Sequence, residues 1–402
     1  MKIIHIADLI DEKISGEWGV ESANGSGTKV LRTTNFTNEG KLKMDSVVER
    51  QIEKNIVERK RLRYGDTIIE KSGGSPNQPV GRVVLFDLKA KEPYLCNNFT
   101  AILRPSKKVN SEYFFWALFH KHLTKSTLRF QNKTTGILNL KLERYLEEES
   151  IKLPDLSIQQ KIVDVISQAN AARQKRREAN RLTEQFLQSA FLEMFGDPVR
   201  NEKGWEQKKL VHAVTIKGGG TPSKSKPEYF TGDIPWVSPK DMKLTFIRTS
   251  LDKITRKAVD ESATHLIPKN SVLVVVRSGI LKNALPLAIN EVEVAINQDM
   301  KAFICPKDLN AIFLMYQLQS LAEYILQFVR ATTADNISSD VLKNIDLNIP
   351  PFPLQQKFAT LVGQVERLRA KQRDSERELE NLFQSLMQRY FGDQRHLSFC
   401  RQ

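Results

Sequence analysis

Two stretches of this chain repeat each other at one fixed offset, and that limits the fold more than any other feature of the sequence. Leu153-Pro154 and Gln159-Gln160-Lys161 recur as Ile349-Pro350 and Gln355-Gln356-Lys357, 196 positions on. The same offset carries Gln168, Arg173, Lys175, Arg177, Arg181 and Glu184 onto Gln364, Arg369, Lys371, Arg373, Arg377 and Glu380. It ends by placing Gln188-Ser189 on Gln384-Ser385 and Phe195-Gly196-Asp197 on Phe391-Gly392-Asp393, with no gap anywhere. A gapless repeat predicts two copies of one structural unit.

Both copies read as long helices. Leu354, Phe358, Leu361, Val365, Leu368, Leu379, Leu382, Leu386 and Tyr390 fall on alternating steps of four and three, with Gln372 and Ser375 as polar interruptions, which predicts a coiled-coil seam. In the first copy Ile158, Ile162, Val165, Ala169, Ala172, Leu182, Phe186 and Ala190 run similarly, the alanines allowing close helix approach. Ser157 with Gln160 predicts a capping box, and Gly196 and Gly392 sit where a helix would stop. From Leu354 to Tyr390 is 37 residues, which at ~1.5 Å per residue makes a rod of roughly 55 Å. Such a stripe needs a partner. The expected one is the other copy, paired antiparallel around a pseudo-twofold axis so that the rods act as a spacer; the alternative is that each rod folds back on its own globular domain.

The 402 residues exceed the usual reach of one hydrophobic core, so two domains are expected. Residues 1–150 and 199–348 form the globular segments, each preceding a helix, 151–198 and 349–394, and 395–402 is left as a C-terminal tail. Thr67-Ile68-Ile69 before Lys71-Ser72-Gly73 parallels Val272-Leu273-Val274-Val275-Val276 before Arg277-Ser278-Gly279. Asn98-Phe99-Thr100-Ala101-Ile102-Leu103 parallels Gln298-Asp299-Met300-Lys301-Ala302-Phe303, and Thr134-Thr135 parallels Thr332-Thr333. The predicted class is α+β: two mostly-β domains with a few helices, one near 111–122 and its counterpart near 309–329, separated by two long antiparallel coiled-coil helices.

Charge narrows the partner. Against 47 Asp and Glu stand 61 Lys and Arg, a net +14, which favours a polyanion because neutralising phosphates releases counterions. Nucleic acid comes before membrane, since no apolar run approaches the ~20 residues that span a bilayer. The opening residues Met1–Asp8 lack the apolar core of a signal peptide, and Cys96, Cys305 and Cys400 are too far apart for a local metal or redox motif; a reducing cytoplasm is expected.

One stretch is the most distinctive: Gly218-Gly219-Gly220-Thr221-Pro222-Ser223-Lys224-Ser225-Lys226-Pro227-Glu228-Tyr229-Phe230, then Gly232-Asp233-Ile234-Pro235-Trp236-Val237-Ser238-Pro239-Lys240-Asp241-Met242. Together with the doubled Pro…Gln-Gln-Lys helix and the Phe-Gly-Asp ending, it resembles the specificity subunit of type I restriction-modification systems. Val30-Leu31-Arg32-Thr33-Thr34-Asn35-Phe36 and Glu70-Lys71-Ser72-Gly73-Gly74-Ser75-Pro76 look like a different recognition type of the same family. The resemblance covers about residues 1–394. It implies two target-recognition domains, each reading one half of a bipartite site in double-stranded DNA, with a helical spacer fixing their separation. It also implies two modification subunits that bind S-adenosylmethionine and methylate adenine, and restriction subunits that use ATP and Mg. The chain itself would hold no cofactor and perform no chemistry.

The residues agree with a non-enzyme. Asn348-Ile349-Pro350-Pro351-Phe352 is a near miss to the amine-holding run of an adenine methyltransferase, broken by Ile349. Gly218 to Gly220 lack the Gly-Lys-Ser/Thr of a phosphate-binding loop. Glu58-Arg59-Lys60 is expected by chance in so charged a chain. His120 and His122 have no third ligand in view and are expected on a helix surface.

Candidate DNA contacts mix phosphate-positioning and base-reading types. In the first domain they are Arg32, Thr33, Thr34 and Asn35; Lys71, Ser72, Gly73, Ser75, Asn77, Gln78 and Arg82; and Arg129, Lys133, Thr134 and Thr135. In the second, Thr221, Ser223, Lys224, Ser225 and Lys226 form a basic loop, joined by Ser238, Lys240, Arg277, Asn283, Gln298, Arg330, Thr332 and Thr333. Trp236 reads as core. The basic helix positions, Arg173 to Arg181 and Arg367 to Arg377, would form a solvated face or meet DNA between the half-sites. Two other classes compete: a stand-alone DNA-binding regulator, and a self-sufficient ATP- or metal-dependent enzyme.

Overall fold

The computed structural model describes residues 2–22, 26–75, 78–134, 137–330 and 335–392. It divides into two units, Met1–Lys175 with Ser375–Gln402, and Arg176–Asp374. Each long helix, Leu156–Phe195 and Phe352–Phe391, 40 residues apiece, gives part of its length to each unit.

In the first unit an antiparallel sheet runs in the order Ile10–Ser15, Thr100–Pro105, Thr67–Glu70, Val83–Leu85. A second sheet has the order Val20–Glu21, Val48–Gln51, Thr28–Leu31, Tyr94–Cys96, its last pair parallel. A third joins Gln131–Thr134, Ile137–Leu140 and Ser72–Gly74. Lys2–His5 pairs with Ser150–Leu153. The helix Ser111–Leu123 starts at Asn110, whose side chain accepts the amides of Glu112 and Tyr113. Its aromatic run, Tyr113 to Trp116 and Phe119, fills the core with Ile69, Ala101 and Leu103.

The second unit repeats this plan. Its larger sheet runs Thr215–Gly218, Met300–Ile304, Val272–Val275, Leu287–Asn290, Phe246–Ile247. Its smaller sheet runs Asp252–Ile254, Ile234–Val237, Val294–Ile296, Leu266–Ile267, its central pair parallel, and Glu206–Lys209 pairs with Asp346–Ile349. Asn310 caps Ala311–Ser320 as Asn110 caps its counterpart. The single helix expected here is broken, continuing as Ala322–Arg330 after Leu321.

The long helices pack as the offset of 196 requires. Ile162, Ile166 and Ala169 enter the first core with Phe383, Met387 and Phe391. Their repeat partners Phe358, Val362 and Val365 enter the second with Leu187, Phe191 and Phe195. In the second unit Gln372 donates to Thr183 and Phe191 meets Phe358 edge-on, so the two helices run antiparallel. In the first, Arg173 reaches Glu380 at 2.6 Å and lies over the Phe383 ring.

This corrects the expected seam. Ile158, Val165, Leu182, Phe186, Leu368 and Leu382 remain 40% or more exposed. Leu354, Leu361, Leu379, Leu386, Tyr390, Ala172 and Ala190 are half-buried, and only Ile162, Ala169, Phe358 and Val365 of the nominated set are fully buried. The buried stripe instead adds Val163, Ile166, Leu187, Phe191, Val362, Phe383 and Met387. The physical reason is that each half-helix buries its apolar face into a globular core as well as against the other helix, so the domain, not a seven-residue seam, selects the face. The helix starts at Leu156, and Gln160 donates to Asp164 instead of closing a capping box with Ser157.

Candidate nucleic-acid interface

One backbone arrangement is built twice at the end of the central strands. The amides of Gly16 and Glu17 donate to Thr100 O and Cys96 O at 3.1 and 2.7 Å; those of Gly219 and Gly220 donate to Met300 O and Ile296 O at 3.4 and 3.0 Å. Asn97 N reaches Leu31 O at 2.8 Å, and Asn297 N reaches Val237 O at 2.9 Å. A Cβ on Gly16 would lie 2.0 Å from Asn97 O, and one on Gly219 1.9 Å from Asn297 O, so both positions require glycine. Finally, Lys71 N and Ser72 N donate to Phe99 O, as Val276 N and Arg277 N donate to Asp299 O.

Those ties fix the equivalence of the two tips. Thr100 opposes Glu70 as Met300 opposes Val275, so Ser72 corresponds to Arg277. The expected match of Lys71 with Arg277 is therefore off by one residue, because its sequence cue was the shared Ser-Gly pair and not the strand register. Ser72 donates to Asn139 at 2.6 Å, while Arg277 bridges Asn336.

The three-stranded sheet brings segments far apart in sequence into one place: Ser72 and Gly73 lie beside Ile137–Leu140, which pairs with the strand holding Lys133 and Thr134. Lys71 is half-buried, its ammonium donating to Ser15 Oγ at 2.6 Å, and burial lowers its pKa. Gly73 has a φ of +100° and open space around it. Ser75 and Gln78 are exposed and bonded to each other through their backbones. Asn77, Thr135, Thr332 and Thr333 lie outside the described residues, and Arg330 ends the helix Ala322–Arg330.

Three nominated residues turn inward, which corrects their reading as contacts. Asn35 is fully buried, accepting Arg32 N at 2.8 Å and donating to Lys43 O at 2.9 Å. Ser238 is buried in the matching turn of the second unit, both its amide and its hydroxyl on Asp241. Arg82 is buried with Nε and Nη2 on Glu70 at 2.9 Å and a further bond to Thr33 O. In each case an unpaired polar group beneath a tight turn would cost more than a solvent contact gains. Arg32 and Thr33 are half-buried and Thr34 is exposed.

Arg129 is exposed, pairs with Glu149 at 2.8 Å and stacks on Phe130. In the second unit Thr221 bonds Gln298, Ser223 bonds Ser225, and Lys224 and Asn283 are exposed. Lys226 is shared by Tyr229 and Glu261, Lys240 pairs with Asp252 at 2.7 Å, and Arg277 pairs with Asp299 at 2.6 Å. The hydrogen bonds of Tyr229 and Glu261 raise the Lys226 pKa, and that of Asp252 raises the Lys240 pKa.

Sequence reasoning missed Ser15, Asn97, Asn139, Asn297 and Asp299. The polar triplet Asn297-Gln298-Asp299 between two β-rich runs was a readable turn signal. Trp236 is buried, donating to Gly220 O at 3.1 Å. His120 is buried rather than on a surface, and His122 is half-buried, because the helix that carries them is apolar almost all round. Among the described residues no group of three or more His, Cys, Asp or Glu is placed to hold a metal ion, and no helix is long and apolar enough to cross a membrane.

Residues 8–183 and 202–381 each match the family described as type I restriction modification DNA specificity domain. Over 154 residues the chain is 39% identical to the specificity subunit of the type I restriction enzyme EcoR124I/EcoR124II of Escherichia coli, covering 38% of each. Over 197 residues it is 28% identical to the MjaIX specificity subunit of Methanocaldococcus jannaschii, covering 48% of this chain and 44% of that one. The matches thus span less than half the length of these relatives. In fold, the chain is similar to the crystal structure of the type I restriction-modification S subunit from M. genitalium, with a TM-score of 0.59, 13% identity and 98% and 96% of the two chains covered. A chain from a study of complex assembly in the type I system is similar at a TM-score of 0.52 and 18% identity, covering 97% of each.

Proposed function

The chain belongs to the type I restriction modification DNA specificity family, and on that premise we propose that it is the sequence-reading, non-catalytic subunit of a type I restriction-modification complex. Each recognition domain, 1–150 and 199–348, reads one half of a bipartite site in double-stranded DNA. The helical segments 151–198 and 349–394 serve as the spacer and as the seat of two modification subunits, and 395–402 is a tail. Adenine methylation, with S-adenosylmethionine, and restriction, with ATP and Mg, belong to the partner subunits. The cytoplasm is the compartment where such a complex meets foreign DNA.

The observation that carries this reading is one scaffold with two different tips: the same backbone bonds present Ser72 and Phe99 in the first unit and Arg277 and Asp299 in the second. Duplicated framework with unlike reading surfaces is what an asymmetric two-part site requires. The uncovered apolar residues of the long helices, Leu182, Phe186, Leu368 and Leu382, support a role for them in docking partner helices. Co-expression with the modification subunits, followed by mapping of methylated adenines, tests it. A stable assembly with two modification subunits and a methylated bipartite motif is expected. Tight sequence-specific binding by the chain alone, with no assembly, would make it a stand-alone regulator, and methyl transfer or cleavage by the isolated chain would make it an enzyme.

A further inference from the structure

We propose that Arg277 is the base-reading arginine of the second unit, directed at a guanine edge in the major groove, and that Asp299 is the positioning residue that aims it. The inference rests on the sequence-reading role above and gives it a chemistry.

Arg277 follows directly on the buried run Val272 to Val276, and its amide is held by the Asp299 carbonyl at 3.2 Å. Its side chain is 59% exposed, yet it is not loose. Nε and Nη2 both reach Asp299 Oδ1 at 2.6 Å. Asp299 is itself fixed, with Oδ2 accepting from Asn297 Nδ2 and its amide donating to Asn297 Oδ1, each at 3.1 Å. Asn297 is buried and its own amide is tied to Val237. A chain of bonds rooted in two strands thus ends in a planar guanidinium whose Nη1 has no partner among the described residues. Preorganisation of this kind distinguishes a reading group from a surface cation.

The carboxylate on one edge of the guanidinium leaves the end-on fork, Nη1 and Nη2, directed away from it. That fork matches the O6 and N7 acceptors of guanine. It would also match a phosphate, but a phosphate placed there brings its charge beside the Asp299 carboxylate, whereas the guanine edge is neutral. Lys226 and Lys240 lack the planar fork and suit point contacts to phosphate. At the corresponding positions the first unit has Ser72 and the exposed Phe99, with no cation and no acid. The guanine preference therefore belongs to one half-site only.

The test uses the full chain co-expressed with its modification subunits, selecting from a library of duplexes randomised in both half-sites, with the bound duplexes sequenced. Wild type is expected to fix a guanine in one half-site. Arg277→Gln and Arg277→Lys should both lower the preference at that single position by roughly ten- to hundredfold, and Asp299→Asn should relax the same position by less. The other half-site, unchanged, reports that each variant is folded and assembled, and Arg277→Lys keeps the test readable if Arg277→Gln does not fold. A wild-type chain that selects no sequence overturns the reading role and this inference with it. A selected half-site without guanine, an Arg277→Lys variant that keeps it, or variants that weaken all duplexes equally with a shallower salt dependence overturn the inference alone.

Discussion

The side-chain oxygen of Gln159 accepts the backbone amide of Asn110 at 2.8 Å, while its nitrogen donates to Pro154 O at 2.8 Å. Gln355 repeats both bonds, to Asn310 N at 2.9 Å and to Pro350 O at 2.8 Å. A buried glutamine thus joins the proline before each long helix to the capping residue of the domain helix, which explains why the repeat preserves Pro and Gln together. Alanine at Gln159 or Gln355 leaves two buried groups unpaired and should cost about 1–3 kcal/mol per site. The exposed neighbour Gln160 should cost less than about 0.5 kcal/mol. Denaturant titration checks both, and equal effects at Gln159 and Gln160 would remove the pin.

Burial, not heptad position, decides which helix residues hold the fold. Ile166, outside the expected seam, is fully buried, whereas Val165, inside it, is 40% exposed. Ile166→Ala should cost about 2–5 kcal/mol, and Val165→Ala about 0.5 kcal/mol or less. The reverse order in thermal or chemical unfolding would restore the seam as first read.

The repeat made the duplication, the long helices and the two domains readable, because identity at one offset survives without knowledge of any contact. The face each helix buries was not readable. Val165 and Ile166 are adjacent apolar positions on neighbouring faces, and the core that holds the aromatic residues of Ser111–Leu123 takes Ile166 and leaves Val165 exposed. The reading surface was half legible for a similar reason. Polar loop residues such as Arg82 and Lys71 look alike in sequence, and the acid that takes Arg82 out of solvent, Glu70, stands 12 positions away.

Arg82 is predicted to be a stability residue. With Glu70 it forms a buried pair, and removal of one partner leaves the other charged and unpaired. Arg82→Ala should destabilise by about 3–5 kcal/mol, while replacement of both Arg82 and Glu70 by methionine should recover most of that loss. A variant that lost DNA affinity at unchanged unfolding free energy would return Arg82 to the reading surface.

His122 gives the first unit a pH dependence. Burial, and secondarily the Arg82 charge, pull its pKa down to about 4, against about 6.5 when unfolded. The unfolded chain therefore binds more protons between these values. The stability associated with neutral His122 is complete above about pH 6.5 and is lost as pH falls through about 4. Glu12 and Glu17, whose pKa values are lowered by hydrogen bonds from Arg104 and Lys60 respectively, are lost only below the ordinary carboxylate range. The slope between pH 6.5 and 5 should thus flatten in His122→Asn, as followed by urea unfolding at a series of pH values. A wild-type stability that is level across that window would place the imidazole in water.

Lys224 tests the electrostatic half of recognition. It stands exposed on the Gly218-to-Lys226 loop, whereas its neighbour Lys226 is shared by Tyr229 and Glu261. A lysine that neutralises one phosphate contributes about 0.9 to the slope of log affinity against log salt, whatever the sequence bound. Lys224→Gln should therefore weaken specific and nonspecific duplexes alike and reduce the slope by about one unit. The methylated motif should be unchanged, because no base edge has lost a partner. A shift in that motif, or a slope equal to that of wild type, would take the loop off the phosphate backbone.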